Sequence, residues 1–204
     1  MPNYLGYFNY ERREGRFLSH LQRCEYPRPT LMNYAEIKNV DVANGPGVRV
    51  SLFVSGCPHH CPGCFNPESW DFGFGKPFDQ AAMDELIQLL KPDYIKGFSV
   101  LGGEPFAPEN QEKVMDIVCR VRETYPDKEI WCWTGYKYED LVRDKVGNHS
   151  HELLMQIDVL VDGPFIEAKK DLGLRFRGSS NQRIINVPAS LLTHSIVQWE
   201  DRHS

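Results

Sequence analysis

Val48-Arg-Val-Ser-Leu-Phe-Val-Ser55, followed after one glycine by Cys57-Pro-His-His-Cys61-Pro-Gly-Cys64, is the stretch on which the reading of this chain turns. Its first half is an apolar run rich in Val, Leu and Phe, the composition of a β-strand. Its second half packs three thiols into eight residues, and Pro58, Pro62 and Gly63 favour a tight non-helical path. Three close thiolates can hold a metal or a cluster and leave one coordination position unfilled. In α/β folds chemistry sits at the C-terminal ends of strands, which is where this loop falls.

Outward from this stretch, apolar β-type runs alternate with stretches of helical period, the signature of a parallel sheet covered by helices. The strands read from the sequence are 48–55, 98–101, 130–133, 159–161 and 184–187. Asp79 is placed to cap a helix carrying Met83, Leu86, Ile87 and Leu90 on one face. A second helix is read from Asn110, with Val114, Ile117, Val118 and Val121 at i, i+3, i+4 and i+7. Shorter helical stretches are read at 139–142 and 151–155, and all these apolar stripes are taken as core. The cysteine loop, Gly102-Gly-Glu-Pro105, Thr134-Gly-Tyr136 and Asp162-Gly-Pro164 each follow one strand, so four polar or glycine-rich segments are expected on one rim.

With 204 residues, 41% hydrophobic and 12% aromatic, the chain is long enough for one sizeable core and short for two. A net charge of −5 offers no bulk electrostatic reason for a nucleic-acid or membrane partner. No apolar run approaches the roughly 18 residues of a membrane span. The N-terminus lacks the basic-then-apolar pattern of a signal peptide, so a cytoplasmic location is expected. In that reducing setting six cysteines read as ligands or buried thiols; Cys24, Cys119 and Cys132 are scattered, and Cys119 is read as a buried thiol. Residues 1–31 are polar, aperiodic and broken by Pro27 and Pro29, and are read as a poorly ordered appendage to a domain spanning 32–204.

The cysteine loop by itself admits more than one chemistry. A zinc site completed by His59 or His60 satisfies the same spacing. A redox dithiol at Cys61 and Cys64 fits less well, because such motifs usually open a helix and here carry Pro62 and a third cysteine.

Cys-x-x-x-Cys-x-x-Cys after a first strand, with Gly-Gly-Glu-Pro after the second, resembles the radical S-adenosylmethionine (SAM) enzymes. Asn44-Gly-Pro-Gly47 before the first strand resembles the glycyl-radical-enzyme activases among them. Asn44-Gly-Pro-Gly-Val-Arg49, Phe53-Val-Ser-Gly-Cys57, Cys61-Pro-Gly-Cys-Phe-Asn66, Trp131-Cys-Trp-Thr-Gly-Tyr136, Val159-Leu-Val-Asp-Gly163 and Arg177-Gly-Ser-Ser-Asn-Gln182 together resemble the activating proteins of anaerobic ribonucleoside-triphosphate reductase. The likeness runs from about Met32 to Arg183. The departures are the N-terminal stretch and a tail after Asn186 longer than the family's.

The resemblance implies an α/β fold, an incomplete radical SAM β/α barrel with parallel strands. It implies one 4Fe-4S cluster on Cys57, Cys61 and Cys64, whose fourth iron takes the amino and carboxylate groups of SAM. Gly102 and Gly103 would approach the ligand closely and accept bonds from the methionyl ammonium, with Glu104 adding a charge-assisted contact or holding the loop. Thr134, Gly135 and Tyr136 would meet the ribose or carboxylate of SAM, or else form a satisfied turn. Asp162 would bind ribose hydroxyls or a monovalent cation, with helix capping as the competing role. Phe65 and Asn66 flank the last cysteine and are counted with the cofactor site; His59 and His60 are expected as exposed loop residues, and Asn44-Gly-Pro-Gly47 as a turn or a guide for a peptide substrate. The implied partners are the large subunit of the reductase as protein substrate and a flavodoxin-like electron donor. Open rivals are an activase of pyruvate formate-lyase, a radical SAM enzyme acting on a deazapurine precursor, an electron-transfer protein, and a zinc-stabilised binding module without enzymatic activity.

Overall fold

The computed structural model describes residues 11–13, 16–18 and 31–201. In chain order the strands are β1 (Glu11–Arg13), β2 (Arg16–Leu18), β3 (Asn33–Asp41), β4 (Val48–Val54), β5 (Lys76–Pro77), β6 (Ile95–Gly102), β7 (Glu129–Trp133), β8 (Val159–Asp162) and β9 (Arg183–Asn186). The helices are α1 (Gln80–Leu90), α2 (Pro108–Thr124), α3 (Tyr138–Leu141), α4 (Ser150–Met155) and α5 (Val187–Thr193). β1 and β2 pair with each other; the rest of the appendage read at 1–31, Leu31 apart, lies outside the described residues.

The other seven strands form one sheet in the order β5-β3-β4-β6-β7-β8-β9. β4, β6, β7 and β8 run parallel, with α1, α2 and the α3–α4 pair as the connections between them. The expectation of parallel strands holds for these four and is corrected at both flanks. β3 is antiparallel to β4, and β9 is antiparallel to β8. The cause at β9 is its connection: the chain from Gly163 to Gln182 contains only a 3-10 turn at Glu167–Lys169, with no helix to carry it back across the sheet. That segment therefore stays on the rim where β8 ends. β3 is not among the strands read from the sequence because its polar residues interrupt the apolar alternation, as suits a strand half open to solvent.

Side chains alternate across the sheet, and the two faces differ in kind. Val50, Leu52, Val54, Phe98, Val100, Ile130, Cys132, Leu160 and Ile185 face the helices and merge with Met83, Leu86, Leu90, Val114, Ile117, Val118, Val121, Leu153 and Leu154 into the main core. Asp79 caps α1 as read, its Oδ1 accepting from Ala82 N at 3.0 Å. α2 begins at Pro108 rather than Asn110, proline suiting the first turn of a helix.

On the opposite face Trp131, Val159 and Val161 pack with Trp133, Phe176, Ile184 and Trp199. Beside them the fully buried Arg49 donates from Nε to Ser99 Oγ at 2.8 Å and from Nη2 to Phe98 O at 3.0 Å and Glu129 O at 2.8 Å, with Trp131 under its guanidinium. Ser99 Oγ in turn donates to Asn44 O at 2.6 Å, and Asp41 accepts from Asn44 Nδ2 and Ser51 Oγ at 2.6 Å each. Asn44-Gly-Pro-Gly47 is thus folded down onto the middle of β6. Gly97 is required there, since a Cβ on it would lie 2.7 Å from Arg49 Nη2 and 2.1 Å from Glu129 O.

Candidate cluster site at the C-terminal rim

Because β4, β6, β7 and β8 are parallel, the four segments that follow them share one rim, as the sequence leads one to expect. The β4 and β6 ends are drawn together by backbone: Gly103 N donates to Val54 O and Glu104 N to Gly56 O, both at 2.7 Å. Only glycine permits this approach. A Cβ on Gly103 would sit 2.5 Å from Gly56 O, and Gly102 has φ +105° with Phe53 Cα and Val54 O 2.8 Å from where its Cβ would be.

Glu104 is 1% exposed and ties three loops together. Its Oε1 accepts from Phe106 N at 2.9 Å and Thr134 Oγ1 at 2.8 Å, and its Oε2 from Gly135 N at 2.7 Å and His59 Nε2 at 2.8 Å. A carboxylate has about four acceptor positions, and all are used by the protein's own loops. Of the two roles read for it, holding the loop is the one these contacts perform. The His59 ring also meets Tyr136 edge-on, with centroids 4.4 Å apart. Burial, and then the charge of Glu104, push the Tyr136 hydroxyl up to about 12. Asn110 clamps the same junction from α2, donating from Nδ2 to Ser55 O and Glu104 O at 2.9 Å each.

Cys57, Cys61 and Cys64 are free and half-buried on the loop so held. Burial pushes the Cys57 thiol up to about 11 against the pull of the backbone N–H groups of His59 and His60. Burial likewise raises Cys61, opposed by the N–H of Phe165. Asn66 N donates to Cys64 Sγ at 3.4 Å. Backbone N–H groups thus oppose the rise at Cys57 and Cys61 and one donates to Cys64, which suits sulfurs that bind iron after losing their protons.

Neither histidine completes the set. His59, expected as an exposed loop residue, is instead half-buried and bonded to Glu104. His60 is exposed, with φ +46°, and stacks on Trp70 at 4.7 Å. Three free thiols on one loop, with His59 and His60 engaged elsewhere, fit a cluster held by three cysteines.

The remaining residues read for the site are not all gathered at the cysteines. Phe65 is 60% exposed, its ring against Phe165 at 5.5 Å and under Lys170 Nζ at 4.8 Å. Asn66 is exposed and starts the 3-10 turn Pro67–Trp70. Asp162 is buried with its oxygens turned to its own neighbours. Oδ1 accepts from Arg183 Nε at 2.8 Å, Oδ2 accepts from Tyr138 N at 2.8 Å, and Arg183 Nη2 also reaches Oδ2. The positioning contacts of His59, Asn110 and Gln182 escape a reading of the sequence, because Glu104, Ser55 and Gly163, which they bind, lie far away in the chain.

Residues 43–185 match a family model described as a 4Fe-4S single cluster domain. The chain is 44% identical over 153 residues to the anaerobic ribonucleoside-triphosphate reductase-activating protein of Escherichia coli K12, covering 74% of this chain and 96% of that protein. It is 46% identical over 155 residues to the protein of that name from Vibrio cholerae, with 75% and 97% covered. Against the one from Enterobacteria phage T4 it is 41% identical over 155 residues, with 75% and 93% covered. With its three thiolates, its glycine-lined rim and these relatives, the chain belongs to the family of anaerobic ribonucleoside-triphosphate reductase-activating proteins, which carry a 4Fe-4S domain.

Proposed function

We infer that the chain is a radical SAM activating enzyme that generates a glycyl radical on an anaerobic ribonucleoside-triphosphate reductase. The observation that carries this is the trio of free thiols Cys57, Cys61 and Cys64, on a loop where His59 is bonded to Glu104, at a rim organised by Glu104. Those cysteines would hold one 4Fe-4S cluster. When bound and reduced by one electron, the cluster with SAM supplies reductive cleavage of the sulfonium and a deoxyadenosyl radical able to take hydrogen from a glycine.

The chain's own residues then bind and orient. Gly102 and Gly103 offer close backbone carbonyls to the methionyl ammonium, and Thr134, Gly135 and Tyr136 form the wall for the ribose and carboxylate. Glu104 keeps these two loops in register with the cysteine loop and so fixes the ligand relative to the cluster. Phe65 and Asn66 cover the cluster on the side of Cys64. Asp162 serves the site by anchoring the rim through Arg183 and Tyr138, in the place of a direct ligand contact. The sheet, with helices on one face, reads as an incomplete radical SAM β/α barrel whose inner face is the helix-free one. The large reductase subunit is the protein substrate and a flavodoxin-like carrier the electron donor. The working domain spans 32–204, and cluster chemistry of this kind suits a reducing compartment such as the cytoplasm.

Anaerobically reconstituted protein, given SAM and a strong one-electron reductant, should contain about four irons and four sulfides per chain and release deoxyadenosine and methionine. A colourless protein holding one zinc would overturn the reading, as would an intact, reducible cluster that leaves SAM uncleaved.

A further inference from the structure

The family model ends at residue 185, and the chain beyond it folds back onto the sheet. After α5 it turns at His194, whose φ of +51° is a left-handed position, and returns along β9. Asn186 N donates to Val197 O at 2.9 Å, Trp199 N donates to Ile184 O at 2.8 Å, and Ile185 pairs antiparallel with Gln198. β9 is the last strand of the sheet, so residues 197–199 cover an edge that otherwise presents unpaired backbone groups.

The same segment reaches onto the helix-free face. Trp199 packs edge-on against Trp131 at 4.9 Å and against Phe176 at 6.2 Å, and Asp201 pairs with Arg175. Phe176 completes the wall, its carbonyl accepting from Trp133 Nε1 at 2.8 Å. The groove between the β9 edge and this wall thus takes an extended segment by backbone pairing and one aromatic side chain by the Trp131 ring. That is the chemistry of strand addition. Its present occupant is held by two ladder bonds, one half-buried Trp and an ion pair whose arginine is 62% exposed, which is slight for a permanent strand.

We propose that this groove is a docking site for an extended segment of the protein partner, and that residues 196–201 fill it as a displaceable, self-inhibiting cover. Helices close the other face of the sheet, so a partner's chain reaches the cluster rim from the helix-free side. Of the two sheet edges β5 spans two residues and β9 four, so β9 offers the longer one. The partner segment pairs with it and seats an aromatic side chain on Trp131 where Trp199 now lies. The cover lies wholly outside the residues that the family model matches, as suits an element that regulates the site without building it. This rests on the reading of the reductase as protein substrate.

Hydrogen exchange of the full chain tests displacement in the protein alone. The Trp199 amide should exchange by local opening, well ahead of the amides of β8, and speed up further when reductase is added. Exchange of both at one rate, or slowing at Trp199 with reductase, would overturn the proposal. In activation assays on reconstituted protein, an internal occupant weakens apparent affinity by the fraction of time the groove is open. The reductase concentration giving half-maximal glycyl radical formation should therefore fall about five-fold or more in Trp199→Ala, at an unchanged maximal rate. Leu192→Ala, at a 45% exposed position of α5, should keep the wild-type value. An unchanged or raised half-saturation in Trp199→Ala, an equal fall in Leu192→Ala, or pairing of Trp199→Ala with a second copy through the vacated edge would each overturn the proposal. A wild type that forms no radical on the reductase counts against the functional reading itself, and exchange at Trp199 in the protein alone still decides whether the cover opens.

Discussion

Glu104 joins what three separate turns contribute, and its neighbours state how much depends on it. Removing its side chain leaves Thr134 Oγ1 and the amides of Gly135 and Phe106 without an acceptor in a buried place. Each such group costs about 1–3 kcal/mol, so Glu104→Ala should lower unfolding free energy by at least about 3 kcal/mol in urea titration. Glu104→Asp, too short to span the same donors, should recover little of it. Val40 offers a change in the other direction. It is β-branched and 52% exposed, and holds φ +55° at an irregularity of β3. The left-handed region costs L-residues about 1–2 kcal/mol, and Asn tolerates it better. Val40→Asn should therefore raise the melting temperature, with a gain of about 1 kcal/mol. His59 shows why some of the site was not legible: its partner is 45 residues away, and nothing near Cys57 in the sequence signals that a carboxylate will arrive there.

Elements were read well where one period governs them and poorly where tertiary contacts decide. The Val114, Ile117, Val118, Val121 stripe and the Asp79 cap are local signals, and both stand in α2 and α1. Asn110 looks like a helix start, but its amide is spent on Ser55 O and Glu104 O, while Pro108 begins the helix. The link between α3 and β9 has a pH signature. Arg183 bonds both oxygens of Glu139, at 3.0 Å and 2.9 Å, and holds its carboxyl at about 2, below the ordinary 4.5. A carboxyl lowered by folding contributes stability that is complete above its unfolded pKa and is lost as pH falls through the folded one. The contribution of this pair should thus disappear between about pH 4.5 and about pH 2. Melting temperature against pH should be flatter over that window in Glu139→Gln than in wild type. A wild-type slope retained in the variant would remove Glu139 from the acid response.

At the scale of the molecule, the parallel strands turn sequence order into a shared rim, and this is why the grouping of the motifs is legible in the sequence. Four loops after four strands meet because β4, β6, β7 and β8 point the same way. The antiparallel return of β9 was not legible, since strand direction depends on what the connection contains and not on the strand's own residues. Its consequence is positional: it leaves 163–182 on the rim, with Phe165 against Phe65 beside the last cysteine. The cluster site proposed at Cys57, Cys61 and Cys64 should be intolerant of losing any one thiolate, so Cys61→Ala should retain the fold and lose the cluster. The most direct test is EPR of the reductase after anaerobic incubation with reconstituted activating protein, SAM and reductant. A glycyl-radical doublet on the reductase, with deoxyadenosine formed alongside and neither product with Cys61→Ala, is the predicted result. Deoxyadenosine without a radical on the reductase, or a radical that forms equally with Cys61→Ala, would contradict it.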